Sequence, residues 1–417
     1  MPLGLCSLIA VLKNDGHEVS VFDFSFFDHS LSQFEDAIGD PALDVIGFSL
    51  RNIDNVSKTY SREFISRSCE LVKQSKELSK SYIVLGGCGF SLFCSEIMEK
   101  TKADFGIFGE GEWAFSQLLK ALCGAHHFEQ IPNLLFFENK ILKKNPLMAI
   151  QNLDLLPMPD RTLFKKGYEK WLSTNERQSV YNIQTKRGCA FSCIYCSYPS
   201  IEGKRVRLRS FQNVVNELQN LVEQDRVKQI DFVDSVFNFP INHAQAICSE
   251  IIRRNLSIKW TCFLSPSLVT EQLLDLMIKA GCVHAELGLD SCSVSMLKNL
   301  NKNFSVEEIE KTIRLFDQKK FSYSCSLIFG GPGETLATVQ ETVCKLEQFK
   351  VQNVFGLIGL RIYPNTPLEE IACREHIISH QESLLMPKFY FSHMLNESEL
   401  RGFFSEVLQN HPHWNIF

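Results

Sequence analysis

The segment TKRGCAFSCIYCSYPS, residues 185–200, constrains this chain most, because three of its cysteines fall within eight residues. Cys189, Cys193 and Cys196 have the close spacing of metal ligands, and Tyr195 directly precedes the last of them. Thiolates grouped in this way bind zinc or iron–sulfur clusters. A structural zinc site needs a fourth protein ligand, and no further cysteine or histidine lies at a convincing spacing. A [4Fe–4S] cluster can be held by these three thiolates, with its remaining iron open.

Composition narrows the classes of protein and partner. The 417 residues are 45% hydrophobic and 22% charged, with a net charge of −5, and such a length predicts two or more domains. The charge does not favour nucleic acid, which needs a basic surface. No apolar run approaches the roughly 20 residues of a membrane span, and no secretory signal is evident. The fifteen cysteines are therefore expected to be mostly free thiols in a cytoplasmic protein.

The first half alternates strand and helix patterns. Apolar runs rich in β-branched and aromatic residues predict buried parallel strands at 17–24, 44–50, 82–87 and 103–110. The clearest helical patterns between them lie near 57–79 and 112–122. A hairpin is predicted at 133–142. This order predicts an α/β fold, a doubly wound, Rossmann-like sheet.

The second half is a run of βα units. Strands are predicted at 180–186, 229–235, 259–265, 284–290, 323–331 and 354–363. Helices are predicted between them at 211–225, 242–254, 270–280, 305–319 and 335–349. Six such units predict a partial (βα)6 TIM barrel, open rather than closed by eight units.

These patterns divide the chain into four predicted parts. Residues 1–145 form the first α/β domain, and the proline-rich stretch around LDLLPMPDRTLF makes 146–175 a linker. The partial barrel spans 176–370, and 371–417 form a C-terminal extension.

The pattern Cys-x₃-Cys-x-aromatic-Cys, placed just after the first strand of a (βα)6 chain, resembles the radical S-adenosylmethionine (SAM) superfamily. The resemblance implies that the open iron of the cluster chelates SAM. It also implies that one electron, from a donor such as flavodoxin or ferredoxin, cleaves SAM to a 5′-deoxyadenosyl radical. Tyr195 would then lie beside the adenine.

Other strand ends resemble SAM contacts of that superfamily. The resemblance places Asp234 and Ser235 at the methionine ammonium, in a segment that differs from the common Gly-Gly-Glu. It makes Glu286 a ribose-binding carboxylate and Arg361 a partner of the SAM carboxylate. The alternative for these charged residues is an ordinary loop cap or ion pair.

The first half resembles the cobalamin-binding subgroup of the superfamily, through PLGLCSLIAVLKNDGHEVSVFDF and ADFGIFGEGEWAF. In that reading a corrinoid lies at the strand ends. Loops containing Gly86, Gly87, Gly109, Glu110 and Gly111 would let the backbone approach the corrin tail. The alternative is that these glycines form tight turns without a ligand.

The segment GFSLRNIDN resembles the tryptophan C-methylating members, in which an arginine lies under the cobalt. Arg51 would take that place here, and its alternative is a surface ion pair. DGHEVS contains the Asp and His of a cobalt-ligating motif without its glycine, so we interpret it as chance. The subgroup has a further strand ahead of PLGL, where this sequence has only Met1. We therefore expect either an earlier start or a sheet without its first strand.

These features favour a cobalamin-dependent radical SAM methyltransferase with [4Fe–4S], SAM and cobalamin as cofactors. Its substrate, a small molecule or a peptide, is not encoded in any motif. One alternative is a radical SAM lyase, cyclase or isomerase that has lost the corrinoid. Another is a non-catalytic pathway partner that retains the cluster. Methylthiolation is disfavoured because Cys88, Cys94 and Cys123 do not match a second cluster triad.

Overall fold

Two separate parallel sheets organise the chain. In a computed structural model, the protein is described over residues 1–24, 31–124, 127–174 and 181–417. One unit contains residues 1–55 and 63–180, and the other contains residues 56–62 and 181–417. The short segment 56–62 therefore belongs with the second half of the chain.

The first unit contains seven helices and five strands among its described residues. In chain order they are α1 (Leu3–Asn14), α2 (Leu31–Ile38), β1 (Val45–Ser49), α3 (Ile65–Leu78), β2 (Tyr82–Gly86), α4 (Cys88–Leu92), α5 (Cys94–Thr101), β3 (Phe105–Ile107), α6 (Glu112–Leu122), β4 (Leu134–Glu138), β5 (Ile141–Lys144) and α7 (Thr162–Thr174), with 3-10 turns at Phe128–Gln130 and Leu153–Leu155.

The sheet of this unit has the order β1-β2-β3-β4-β5. β1, β2 and β3 are parallel, so their carboxyl ends meet at one edge, whereas β4 and β5 form the predicted antiparallel hairpin. Val84, Phe105, Phe115 and Leu134 pack with Leu12 of α1 in one apolar core. The doubly wound α/β reading of this half is thereby confirmed.

The strand predicted at 17–24 is wrong. These residues have no regular structure, and no other described strand pairs with them. A strand needs a neighbour for its backbone hydrogen bonds, whatever the β-propensity of its side chains. Phe22 and Phe24 instead pack on Phe34 of α2, with ring centroids 5.6 and 5.3 Å away.

The second unit is the larger one. In chain order its elements are β6 (Asn182–Ile183), β7 (Lys186–Arg187), α8 (Tyr198–Glu202), β8 (Arg207–Leu208), α9 (Phe211–Glu223), β9 (Gln229–Phe232), α10 (Ile241–Arg253), β10 (Lys259–Leu264), α11 (Glu271–Lys279), β11 (Cys282–Asp290), α12 (Val294–Asn299), α13 (Val306–Gln318), β12 (Ser322–Phe329), α14 (Leu336–Gln348), β13 (Val354–Ile358), β14 (Leu360–Arg361), α15 (Pro367–Arg374), β15 (Phe389–Tyr390), α16 (Glu397–Asn410) and β16 (Trp414–Ile416), with a 3-10 turn at Pro266–Leu268.

Its main sheet has seven strands in the order β16-β13-β12-β11-β10-β9-β6, all parallel. The six predicted βα units are present, and their first strand begins just after residues 175–180, which lie outside the described part of the chain. The seventh strand, β16, comes from the C-terminal extension and pairs with β13. Sequence patterns gave no sign of it, because three residues are too few for a period to appear.

Alternate residues of the central strands face opposite sides. Ile230, Trp260, Cys262, Ala285 and Leu287 are buried, as expected for the face that helices cover. The opposite face is polar along one register row, which joins Asn182, Asp231, Thr261, His284 and Ser322 of adjacent strands. TIM-type barrels fill such positions with branched apolar residues. This inner face is therefore suited to a polar ligand.

Two further predictions are revised at their boundaries. The helix expected at 57–79 begins only at Ile65. Residues 57–62 pack on the second unit, where Lys58 pairs with Glu397. The strand expected at 354–363 is split at Gly359, whose φ is +84°.

Among the described residues, no helix is long and apolar enough to cross a membrane.

We expect Trp260→Ala to destabilise the second unit strongly. Trp260 is fully buried, packs on Phe232 and Phe237 with centroids 5.1 Å away, and donates from Nε1 to the Ala280 carbonyl at 2.8 Å. Truncation of such a side chain costs about 3–5 kcal/mol. Phe263→Ala on the same strand is the control, since Phe263 is 46% exposed, and should cost less than half as much. Urea denaturation measures both, and equal losses would contradict the assigned faces.

Candidate iron–sulfur and SAM site

The cysteine loop follows β6, the first strand of the barrel sheet, and the short strand β7. β6 and β7 precede it, and β7 pairs with β8. Gly188 is required at the turn, because its φ is +90° and an added Cβ would lie 2.3 Å from the Arg205 carbonyl oxygen. The Gly188 amide donates to Glu202 at 2.8 Å, and the Cys189 amide donates to the Gly203 carbonyl at 3.1 Å. These contacts fix the start of the loop.

All three cysteines of the loop are half-buried and free of disulfides. Burial raises the pKa of the Cys193 thiol, and it raises that of Cys196 to about 11. Thiols in such surroundings stay protonated unless positive charge compensates the thiolate. Bound iron supplies that charge. These residues therefore fit a [4Fe–4S] cluster.

Within the described ranges, no group of three or more His, Cys, Asp or Glu side chains is placed to share a single metal ion. The cysteines of a four-iron cluster each bind a separate iron. Their side chains consequently need not converge on one point, and the loop is compatible with that finding.

Tyr195 does not stand alone. Its hydroxyl donates to the carboxylate of Asp290, the last residue of β11, and Lys302 Nζ lies 2.7 Å from Asp290 Oδ2. Sequence reasoning did not single out Asp290 or Lys302. The available signal was the position of Asp290 at the carboxyl end of a barrel strand, where sites of this fold gather.

Asp234 lies two residues after the end of β9. Its carboxylate is already bound by other residues of the chain. It accepts from the Thr185 amide at 2.7 Å and the Thr185 hydroxyl at 2.6 Å, and Lys186 Nζ lies 3.3 Å away. Both side chains of the Asp234–Lys186 pair are buried. Asp234 therefore ties the start of the cysteine loop to β9, and its contact with SAM stays a prediction. Neighbouring Ser235 is half-buried.

Glu286 lies on the polar inner face of the sheet. It accepts from Ser324 at 3.2 Å and from Ser326. One position earlier on the same face, His284 Nδ1 is 2.9 Å from Ser322 Oγ and Nε2 is 3.0 Å from Ser324 Oγ. Burial lowers the pKa of His284. Ser324 and Ser326 therefore hold the Glu286 carboxylate in place. Because Glu286 is half-buried, part of its side chain remains accessible.

Arg361 points into the protein. It is 3% exposed and donates to the carbonyls of Ile362 at 2.6 Å and Leu384 at 2.7 Å. Its guanidinium also lies 5.0 Å from the Tyr363 ring centroid. These contacts join the end of the sixth strand to the segment after α15. An additional role toward the SAM carboxylate stays a prediction.

At the carboxyl edge of the first sheet, Arg51 follows β1 by two residues and is exposed. Gly86 is the last residue of the adjacent β2 and Gly87 follows it, and an added Cβ on Gly87 would lie 2.7 Å from the Leu50 carbonyl oxygen. The close approach of the Leu50 backbone thus explains why position 87 is a glycine, without any ligand. The edge still combines an accessible cation with half-buried loop amides, which fits an anionic corrin tail.

The loop after β3, which contains Gly109, Glu110 and Gly111, makes structural hydrogen bonds within the first unit. Gly109 has a φ of +73°, and its amide donates to Ser91 Oγ at 2.9 Å. Glu110 accepts from the Ile150 amide at 2.6 Å, and its carbonyl accepts from Asn133 at 3.0 Å. Glu110 therefore anchors the chain after the hairpin. The roles of Gly109, Glu110 and Gly111 toward a corrinoid stay predictions.

Comparisons with known proteins agree with both halves. The Radical SAM superfamily model matches residues 183–345, and the B12 binding domain model matches residues 1–119. An uncharacterized methyltransferase of Pyrococcus horikoshii is 26% identical, over 90% of this chain and 79% of that protein. The tryptophan 2-C-methyltransferase of Streptomyces laurentii is 23% identical, over 87% of this chain and 70% of that protein.

A solved structure shares the fold. The radical SAM methyltransferase TsrM of Kitasatospora setae, with cobalamin and a [4Fe–4S] cluster bound, superimposes with a TM-score of 0.88 at 22% identity. The match covers 99% of this chain and 89% of that one.

A B12-type α/β domain followed by a cysteine-bearing partial barrel defines a class of cluster-dependent, SAM-using enzymes. This chain contains a Radical SAM superfamily domain and a B12 binding domain, and this combination supports the predicted subgroup of radical SAM proteins with a cobalamin-binding domain. Its cofactors are accordingly a [4Fe–4S] cluster, SAM and cobalamin.

We expect the free energy of unfolding to depend on pH because of Glu334, which lies at the glycine-rich end of the fifth barrel strand. It is fully buried, accepts from the amides of Gly330 and Gly331, and burial raises its pKa from 4.5 to about 7. The folded protein holds the proton of the Glu334 carboxyl group more tightly than the unfolded chain does. The contribution of this protonated carboxyl group to folding stability is therefore complete below pH 4.5. That contribution is lost as the pH rises to about 7. The loss amounts to roughly 3 kcal/mol.

Glu334→Gln should remove this part of the pH dependence. Chemical denaturation of the iron-free protein at intervals from pH 4.5 to 7.5 gives the free energy of unfolding of each form. The wild type should lose more stability over this window than the variant does. Glu370→Gln, on an exposed position of α15, is the control. Identical pH slopes for wild type and Glu334→Gln would contradict the prediction.

Proposed function

We propose that this chain is a cobalamin-dependent radical SAM methyltransferase that acts on a small-molecule substrate. The observation that carries the proposal is a loop of three half-buried cysteines after the first strand of a parallel barrel sheet, in a chain that also contains a B12-type domain. The curated relatives from Pyrococcus horikoshii and Streptomyces laurentii are both named as methyltransferases.

When bound, the cluster supplies an electron for cleavage of SAM, and the corrinoid supplies a carrier for a methyl group. Cys189, Cys193 and Cys196 would hold the cluster, and their number leaves an iron without a protein ligand. Tyr195, fixed by Asp290, would line the adenine side of the SAM site. Arg51 would place a cation at the corrinoid without ligating cobalt.

The polar inner face of the barrel would receive SAM and the substrate. Glu286 is held by Ser324 and Ser326, so its carboxylate can accept from ligand hydroxyl groups without rearrangement. Thr261 donates to Asp231 at 2.6 Å in the row below. Hydroxyl and carboxylate groups at this depth favour a polar small molecule over an apolar one. An electron donor such as flavodoxin or ferredoxin would serve the cluster.

We expect Cys189→Ala, Cys193→Ala and Cys196→Ala each to abolish cluster retention and SAM cleavage, because a three-thiolate site has no spare ligand. Iron content after anaerobic reconstitution and 5′-deoxyadenosine after reduction are the measurements. Cys123→Ala and Cys344→Ala are matched controls, since both thiols are exposed and free. Equal iron content and 5′-deoxyadenosine in the loop variants and the controls would refute the proposed ligand set.

We expect methyl transfer to depend on corrinoid. The reconstituted protein is incubated with SAM and a reductant, with or without hydroxocobalamin, and the nucleoside products are separated. S-adenosylhomocysteine, the product of methyl loss, should form only with hydroxocobalamin and in proportion to the corrin band retained after gel filtration. 5′-Deoxyadenosine alone, with no corrin retained, would favour a lyase, cyclase or isomerase. If neither nucleoside product forms, the result would favour a non-catalytic protein.

A further inference from the structure

The segment from Asp290 to Lys302 contacts the cysteine loop at three points. Tyr195 donates its hydroxyl hydrogen to Asp290. The Ile194 amide donates to the Leu300 carbonyl at 3.2 Å, and the Asn301 side chain donates to the Ser192 carbonyl at 2.7 Å. One distant stretch of chain thereby holds three residues of the loop, Ser192, Ile194 and Tyr195.

At the centre of this contact is a buried ion pair. Lys302 Nζ lies 2.7 Å from Asp290 Oδ2, and the two side chains are 7% and 5% exposed. Asp290 also has a φ of +64°, which a residue with a Cβ rarely adopts. A buried ion pair gains little stability, because desolvation offsets the attraction, and the backbone strain adds a cost. Stability alone therefore does not explain this arrangement.

The pair lies next to the cysteines. Tyr195, which donates to Asp290, directly precedes Cys196, and Ile194, which donates to the Leu300 carbonyl, directly follows Cys193. In a poorly solvated region such charges are weakly screened. The potential of an iron–sulfur cluster depends on the local charge and on its hydrogen-bonding surroundings.

We propose that Asp290 and Lys302 form a positioning pair for the cluster: they fix the cysteine loop through Tyr195, and their opposite charges set the reduction potential. The inference rests on cluster binding by the three cysteines and is independent of the methyl-transfer step. Neither residue is a ligand in this account. Both act through the loop and through the electric field at the cluster.

Redox titration of the reconstituted holoprotein, followed by electron paramagnetic resonance (EPR), tests the pair. Lys302→Met removes a positive charge, which disfavours the added electron, so the potential should become more negative. Asp290→Asn removes a negative charge and should shift it in the positive direction. The double variant should return towards the wild-type value. Lys302→Arg, which keeps the charge, is the conservative variant and should stay near wild type.

Lys319→Met is the matched control. Lys319 pairs with Glu271 and Asp275 on the surface, at 2.9 and 2.7 Å, and its loss should leave the potential unchanged. Shifts of the same sign in the Lys302→Met and Asp290→Asn variants, or no shift with full iron content, would overturn the inference. If Lys302→Met loses iron while Lys302→Arg keeps both iron and potential, the positioning role is supported. A wild type that binds no cluster would instead refute the proposed function.

Discussion

Burial of thiols that must become thiolates is the constraint on which this site depends. A half-buried cysteine prefers to keep its proton, as the raised pKa values of Cys193 and Cys196 indicate. Only compensating positive charge makes the ionised form stable there. Iron provides most of it, and the Lys302 ammonium group adds to it from the protein. The loop must also be held in place before the metal arrives, which its contacts with Gly203, Leu300 and Asn301 achieve.

The parallel register of the barrel sheet brings the remaining groups together. Because parallel strands end at a common edge, Asp234 and Asp290 come near the cysteine loop from strands that are far apart in sequence. Both carboxylates are used within the protein, one by Thr185 and Lys186 and the other by Tyr195 and Lys302. The acids at these strand ends therefore build the site, whereas Glu286, on the inner face of the sheet, is half-buried and remains partly accessible.

Much of the architecture could be predicted from the sequence, since long apolar strands and helices with strong periodicity dominate it. β10, β11 and β12, and the helices α11 and α13, lie within a few residues of the predicted positions, whereas the short helix α12 was not predicted. The failures have physical reasons. Residues 17–24 have a strand-like pattern but no partner, and β16 is too short to produce a pattern. The Asp290–Lys302 pair depends on a turn after α12, which periodicity does not report.

Mössbauer spectroscopy of the ⁵⁷Fe-reconstituted protein, with and without SAM, tests the central claim most directly. If three cysteines hold the cluster and its remaining iron binds SAM, one iron subspectrum should change when SAM is added while the others stay constant. A spectrum that does not respond to SAM, or iron that is not assembled into a cluster, would contradict the account.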